Sequence, residues 1–303
     1  MDNSVLLVSP SPHVRSKRNT QNIMLDVVIA LCPALVASVI IFGWRALIVT
    51  LFCVGVCVAS ELLFELITKR KKTVKDLSAV VTGMLLAFNL PASIPLWQAA
   101  VGSVIAIVIV KQLFGGIGCN FANPAITARV VMLISFAGSM TSFATRNDAV
   151  SSATPMSGGE MPSLLNLFLG NHAGSLGETC ALALIIGFAY LLIRRVITWH
   201  TPVVFVGTVF LFTLVLGENP LEHVLTGGLL LGAIFMATDY STTPPTKLGK
   251  VIFGVGCGVI TVLIRVFGNY PEGVSFAILL MNILTPLISM MCAPRPFGGV
   301  KKK

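Results

Sequence analysis

Charge is what this 303-residue sequence has least of: Asp, Glu, Lys and Arg together make up 11% of it, where a soluble domain carries about 25%. A chain this poor in polar side chains cannot cover itself for water, which argues against an ordinary soluble protein. There is no CxxC pair and no His/Cys cluster. The seven cysteines (Cys32, Cys53, Cys57, Cys119, Cys180, Cys257, Cys292) stand singly, mostly inside apolar runs, and His13, His172, His200 and His223 are dispersed. A metal or iron–sulfur centre built by this chain alone is therefore not expected. No GxGxxG fingerprint follows a strand pattern, so a nucleotide-binding Rossmann fold is rejected. A cleavable signal is not expected either: a basic segment with Arg15, Lys17 and Arg18 precedes an apolar stretch that has no small-residue cleavage site.

Apolar residues, by contrast, reach 55%, and the mean hydropathy is +0.90. Lipid is the solvent that suits such a surface, and the sequence reads as an all-α polytopic membrane protein. Stretches able to cross about 30 Å of hydrocarbon fall at 23–43, 46–67, 77–93, 96–114, 122–140, 178–196, 201–217, 221–238, 250–267 and 273–292, predicting about ten transmembrane helices. Their flanking charges sort by side. One side holds Arg15, Lys17, Arg18, Lys69, Arg70, Lys71, Lys72, Lys75, Lys111, Arg194, Arg195, Lys247, Lys250, Arg295 and the terminal lysines. The other holds Arg45 and Arg146 with Asp148, Glu160, Glu178, Glu218 and Glu272. By the positive-inside rule both termini are cytoplasmic and the 141–177 loop faces outward. The net charge of +9 lies mainly at the ends of apolar segments and does not imply nucleic acid.

Val81-Thr82-Gly83-Met84-Leu85-Leu86-Ala87-Phe88-Asn89 can be laid beside Leu225-Thr226-Gly227-Gly228-Leu229-Leu230-Leu231-Gly232-Ala233, and a Pro-containing segment follows each. Two halves of five spans run in opposite directions because five is odd. The expected organisation is a cytoplasmic N-terminal segment (1–22), a first five-helix repeat (23–140), an extracytoplasmic loop (141–177), a second five-helix repeat (178–292) and a basic cytoplasmic tail (293–303). Inverted repeats place function at their interface, beside broken helices. The strongest helix-breaking segment runs from Phe114-Gly115-Gly116-Ile117-Gly118 through Cys119 to Asn123-Pro124-Ala125. It is either a tight cytoplasmic turn or backbone lining a cavity, the one setting in which irregular chain is tolerated at membrane depth.

The longest polar loop contains Asp148-Ala149-Val150-Ser151-Ser152-Ala153-Thr154. This run resembles the Asp-x-x-(Ser/Thr)-(Gly/Ser)-Ala-Thr acceptor motif, at which a flavin transferase esterifies the phosphate of FMN to threonine. Three further segments accompany it: Lys111 to Ala125, Met236-Ala237-Thr238-Asp239 with Thr243-Pro244, and Tyr270-Pro271-Glu272-Gly273-Val274-Ser275-Phe276-Ala277. With Ser11-Pro12-His13, they make nearly the whole chain resemble the NqrB/RnfD family. That family holds the RnfD component of the Rnf electron-transport complex and the NqrB component of the sodium-translocating NADH:quinone reductase.

The resemblance implies ten helices as two inverted five-helix repeats, similar to the urea-transporter fold, in the bacterial cytoplasmic membrane. It also implies covalent FMN on Thr154, with Asp148, Ser151, Ser152 and Ala153 serving transferase recognition, and other Rnf subunits as partners. The activity it implies is electron transfer between ferredoxin and NAD coupled to Na+ or H+ movement. A second, noncovalent flavin such as riboflavin between the repeats fits the relatives. Position 152 is Ser where many relatives have Gly, and Cys119 is unusual in its loop.

Arg129, inside a span, needs an anionic partner or a wet cavity; it either favours reduced, anionic flavin or pairs with an acid. Thr82, Asn89 and Asn123 are candidate flavin or cation contacts, against plain helix–helix hydrogen bonding. Asp26, Glu61, Glu65 and Asp239 are candidates for the ion path, against pairing with nearby bases, as Glu61 and Glu65 would with 69–72. Arg265 is expected to snorkel. The competing functions are a solute transporter or channel on the same architecture and a passive scaffold for partner subunits; neither needs the Thr154 hydroxyl.

Overall fold

The computed structural model describes residues 19–69, 73–143, 163–170, 172–268 and 272–293. The 148–154 motif, with Asp148, Ser151, Ser152, Ala153 and Thr154, lies outside these residues, as do Ser11, Pro12, His13, Tyr270 and Pro271.

The first half opens with α1 (Thr20–Phe42) and α2 (Trp44–Thr68), joined by Gly43 alone, whose φ of 78° reverses the chain in one residue. A short 3-10 turn precedes α3 (Ser78–Phe88). Next comes α4 (Leu96–Val104), which continues as a π-helical stretch, Ile105–Gln112. After the glycine loop come α5 (Pro124–Ser135) and the single turn α6 (Ala137–Met140). The second half holds α7 (Leu164–Leu169), α8 (Ala181–Ile193), α9 (His200–Leu216) and α10 (Pro220–Leu225). It continues with α11 (Leu229–Leu231), which runs on as π-helical Gly232–Met236, then α12 (Lys247–Phe267) and α13 (Gly273–Met291). Helices α1, α2, α12 and α13 are long and apolar enough to cross a membrane. At eleven residues α3 rises only about 16 Å, so irregular chain completes its path. Every expected apolar stretch holds helix, the fifth as α5 and α6 and the eighth as α10 and α11.

Local chemistry explains the ends that matter. Asn123 caps α5, its side-chain oxygen accepting from the Ala125 and Ile126 amides, and Pro124 stands in the first turn, where its missing N–H costs nothing. In the loop before it, Gly115, Gly116 and Gly118 all have positive φ, a region open at little cost only to glycine.

Some helix contacts recur from half to half. Helix α2 lies against α3 and α4 as α9 lies against α10 and α12, and α4 meets α5 as α12 meets α13. The halves join where α1 packs on α8 and α5 on α13. A left-handed residue stands before α3 (Leu77, φ 59°) and before α11 (Gly228, φ 69°). This corrects the alignment read from sequence, which set Thr82-Gly83 beside Thr226-Gly227. Thr82 and Gly83 lie inside α3, whereas Thr226 is extended and Gly227 has φ 65°. The two glycines answer different needs. A Cβ on Gly83 would sit 2.7 Å from the Val54 Cα, so this glycine admits a neighbouring helix. Gly227 supplies a backbone turn.

The interior is apolar, with Leu31, Leu86, Phe88, Ile126, Met132 and Leu231 fully buried. The exterior is apolar too: Ile40, Ile193, Val215 and Met291 are largely exposed. A water-facing surface would not be built this way, and a lipid-facing one would.

Candidate functional site

A cavity of about 340 Å³ lies between the halves, within the size range of small-molecule sites. Its apolar walls include Ile23, Val27, Val81, Leu85, Leu191 and Phe235. Polar groups interrupt them, among them Ser78, Thr82, Lys111, Asn120, Asn123, Asp239 and Ser241. The glycine loop therefore lines a cavity through Ile117, Gly118 and Asn120. Asn120 Oδ1 is buried without a hydrogen-bond partner among the described residues, which leaves an acceptor for an N–H in the cavity. Thr82 and Asn123 both reach it. Thr82 donates to Ser78 O at 3.0 Å, and Asn123 Nδ2 donates to Met236 O at 3.4 Å, bridging the halves. Asn282 of α13, which carried no signal in sequence, completes the bridge: its side chain accepts from Asn123 N at 3.1 Å and donates to Thr242 O at 3.2 Å.

Asp239 lines the same cavity, yet its carboxylate serves its own turn, accepting from the Ser241 and Thr242 hydroxyls at 3.0 and 3.3 Å. Asp26 is buried and accepts from Tyr190 (3.0 Å) and Arg194 (3.1 Å), tying α1 to α8. The structure does not bring Asp26, Glu61 and Asp239 into one cluster; among the described residues no group of three or more His, Cys, Asp or Glu is placed to hold a metal ion.

Two buried polar clusters lie in the interior, the first reaching the cavity through Lys111 and Ser78. In the first, Lys111 Nζ meets Glu61 Oε1 at 2.6 Å and Ser78 Oγ at 2.7 Å, and Gln112 Nε2 donates to Glu61 Oε1 at 2.7 Å. Lys111 is thus a 2% exposed interior cation and not the solvated loop charge that its place at a span end suggests. Glu61 pairs with it across 50 residues of sequence; of the expected partners at 69–72, residues 70–72 lie outside the described residues.

The second cluster centres on Arg129. Its Nη1 donates to Asn89 Oδ1 at 2.6 Å, and Nη2 lies 2.9 Å from Glu272 Oε2 and 3.9 Å from Glu178 Oε2. The choice left open in the sequence resolves toward pairing with acids. Glu178 and Glu272 are themselves buried, 5% and 4% exposed, and so are not the outer-loop charges that the flanking-charge count assumed. Glu178 arrives on an irregular segment whose Leu176 and Gly177 amides donate to Leu90 O and Phe88 O. Burial pushes the nearby His172 imidazole below its ordinary pKa, with Glu178 opposing.

Arg265 corrects a further expectation. It does not snorkel: at 6% exposure it donates to His223 O (2.6 Å), Thr226 O (3.1 Å) and Gly227 O (3.0 Å). Breaking the helix between α10 and α11 frees these carbonyls, and a buried free carbonyl is costly. Arg265→Lys, which presents a point charge in place of the guanidinium fork, is expected to cost about 1–2 kcal/mol, read as a lower thermal midpoint of the purified chain.

Residues 7–298 match the NQR2, RnfD, RnfE family. The D component of the sodium-translocating ferredoxin:NAD+ oxidoreductase complex of Acetobacterium woodii is 48% identical over 308 residues, covering 98% of this chain and 97% of that protein. The corresponding D component of the proton-translocating ferredoxin:NAD+ oxidoreductase complex of Clostridium ljungdahlii is 40% identical, covering 97% of each chain. That of an ion-translocating oxidoreductase complex of Marinobacter nauticus is 35% identical, covering 98% of this chain and 97% of that protein. An all-helical, apolar-surfaced chain matched from residue 7 to residue 298 belongs to the NQR2, RnfD, RnfE family.

Proposed function

We propose that this chain is the membrane-embedded redox subunit of an ion-translocating complex that passes electrons between ferredoxin and NAD through partner subunits, and that it carries FMN as a phosphoester on Thr154. The observation that carries this reading is near-full-length similarity to proteins named for that activity, joined with the Asp148–Ser151–Ser152–Ala153–Thr154 acceptor pattern. A flavin passes electrons singly or in pairs and so joins one-electron to two-electron carriers. Thr154 acts as a tether and takes no part in proton transfer; Asp148 and the two serines present the loop to the flavin transferase. In this reading both termini are cytoplasmic and the tethered cofactor is on the outer face, where a covalent bond prevents its loss.

The inter-repeat cavity suits a second, noncovalent flavin such as riboflavin. Leu85, Val81 and Phe235 would bound the ring faces, and Asn120 Oδ1 and the Thr82 side chain would meet its polar edge. Arg129 is engaged by Glu272 and Asn89 and is not assigned to either flavin.

The test is in-gel flavin fluorescence of the denatured chain, co-expressed with a flavin transferase. Fluorescence is expected to follow the wild-type band and to vanish in Thr154→Val, whose side chain has the same shape but no hydroxyl. A dark wild-type band, with the transferase active on a control substrate, overturns the flavin assignment and puts the solute-transporter reading in front.

A further inference from the structure

A second cavity, of about 270 Å³, adjoins the first and shares Val196, Ile197, Thr238, Asp239 and Tyr240 with it. It opens outward, since Thr198, Tyr240 and Pro245 of its lining are exposed. The lining holds one acid, Asp239, and one base, Lys250. They are not paired with each other, and among the described residues neither forms an ion pair. Lys250 Nζ donates to Thr198 Oγ1 at 3.0 Å, which leaves it further protons to place. Asp239 Oδ2 accepts from the Ser241 and Thr242 hydroxyls, whereas Oδ1 meets the Ser241 amide only at 3.5 Å, beyond the usual range, and keeps acceptor capacity. Lys250 stands one turn into α12, behind the Thr246 cap, where the helix N-terminus adds positive charge to its own. Helix α12 is long and apolar enough to cross a membrane, so its first turn lies at the bilayer boundary. Trp199 and Tyr240 are exposed there, as amphipathic aromatics are at the headgroup level.

We propose that this second cavity binds the zwitterionic headgroup of a phospholipid, phosphatidylethanolamine, with its phosphate on Lys250 and the Thr198 hydroxyl and its ammonium on Asp239 Oδ1. Opposite charges held apart in one pocket fit a ligand that carries both. A purely anionic headgroup leaves the Asp239 charge unmet, and a choline headgroup brings a cation without an N–H to donate. Val203 of α9 and Leu248 and Ile252 of α12, within two turns of the lining residues, are exposed and give acyl chains a surface. Because the cavity shares lining residues with the inter-repeat cavity, a headgroup seated here lies against that end of it. The inference uses no residue of the covalent-flavin motif and stands apart from the redox reading.

The experiment uses the purified full-length chain, stripped of lipid, with folding checked by gel filtration. It is titrated with phosphatidylethanolamine, phosphatidylcholine, phosphatidylglycerol and soluble O-phosphoethanolamine, and retained molecules are counted by native mass spectrometry. The wild type is expected to hold phosphatidylethanolamine about tenfold more tightly than either other lipid, the scale of one hydrogen bond to a charged group. Asp239→Asn, which keeps the shape and loses the charge, should erase the preference over phosphatidylcholine. Lys250→Met should weaken all three lipids alike. Lys247→Met, at an exposed position one turn away that does not line the cavity, should keep the wild-type preference. Equal retention of the three lipids by a folded wild-type chain overturns the proposal, as does a wild-type pattern in both Asp239→Asn and Lys250→Met. Soluble O-phosphoethanolamine binding as tightly as the lipid overturns the lipid assignment and makes the occupant a water-soluble zwitterion.

Discussion

Arg129→Leu is expected to destabilise the folded chain by about 3–5 kcal/mol, the cost of removing one partner from a buried ion cluster. In the wild type two guanidinium groups act on two carboxylates: Arg129 pairs with Glu178 and Glu272, and Arg265 interacts with both at longer range. Side-chain exposure at the Arg129 pairs is only 3–5%, so water screens these charges weakly. Removing Arg129 strands the Glu272 carboxylate 2.9 Å from where its partner stood and takes the donor from Asn89 Oδ1. Arg265 cannot replace it, because its guanidinium is committed to the carbonyls of the broken helix. The double variant Arg129→Leu/Glu272→Leu restores neutrality and is expected to recover most of the loss. The thermal midpoints of the wild type, the two singles and the double close a mutant cycle. A single-variant loss below about 1 kcal/mol, the scale of an exposed ion pair, would mean that the cluster is hydrated and contributes little.

Gly187→Val is expected to cost about 3 kcal/mol, the upper end of ordinary overpacking. Gly187 lies where α8 crosses α1, the contact that joins the two halves. A Cβ there would meet the Ala30 carbonyl oxygen at 2.4 Å and Phe235 Cζ at 3.0 Å. The first obstacle is backbone and cannot rotate away, so the helices must separate. Phe235 also lines the cavity, so the substitution should weaken any ligand held there as well as lower the thermal midpoint. Gly207→Ala on α9 is the control. No neighbouring atom lies within 4 Å of its Cβ position, and alanine favours helix over glycine by up to about 1 kcal/mol. Its midpoint should be unchanged or slightly raised. Equal midpoints for Gly187→Val and wild type would show that α1 and α8 do not meet at this point.

The sequence by itself determined the solvent and the helices. A stretch of some twenty apolar residues states its burial in lipid without reference to any partner, and the α5 start at Asn123 and Pro124 depends on atoms within three residues of the cap. The glycine loop was legible for the same reason, since positive φ is a local property. What the tertiary structure alone decided was which charges are interior. Lys111, Glu178 and Glu272 all stand at or near ends of apolar runs, where water is the natural assumption, and Arg265 near the end of α12 read as a snorkelling side chain. Each is buried because a facing segment, far away in sequence, supplies its counter-charge or its carbonyls. The repeat register was also beyond local reading: Thr82-Gly83 and Thr226-Gly227 share letters, but one glycine admits a neighbouring helix and the other turns the backbone. Apolar burial in lipid adds up residue by residue along the chain and can be read from it. The energy of a charge depends on the distance to its partner and on the polarisability of what lies between, and only the folded arrangement sets these.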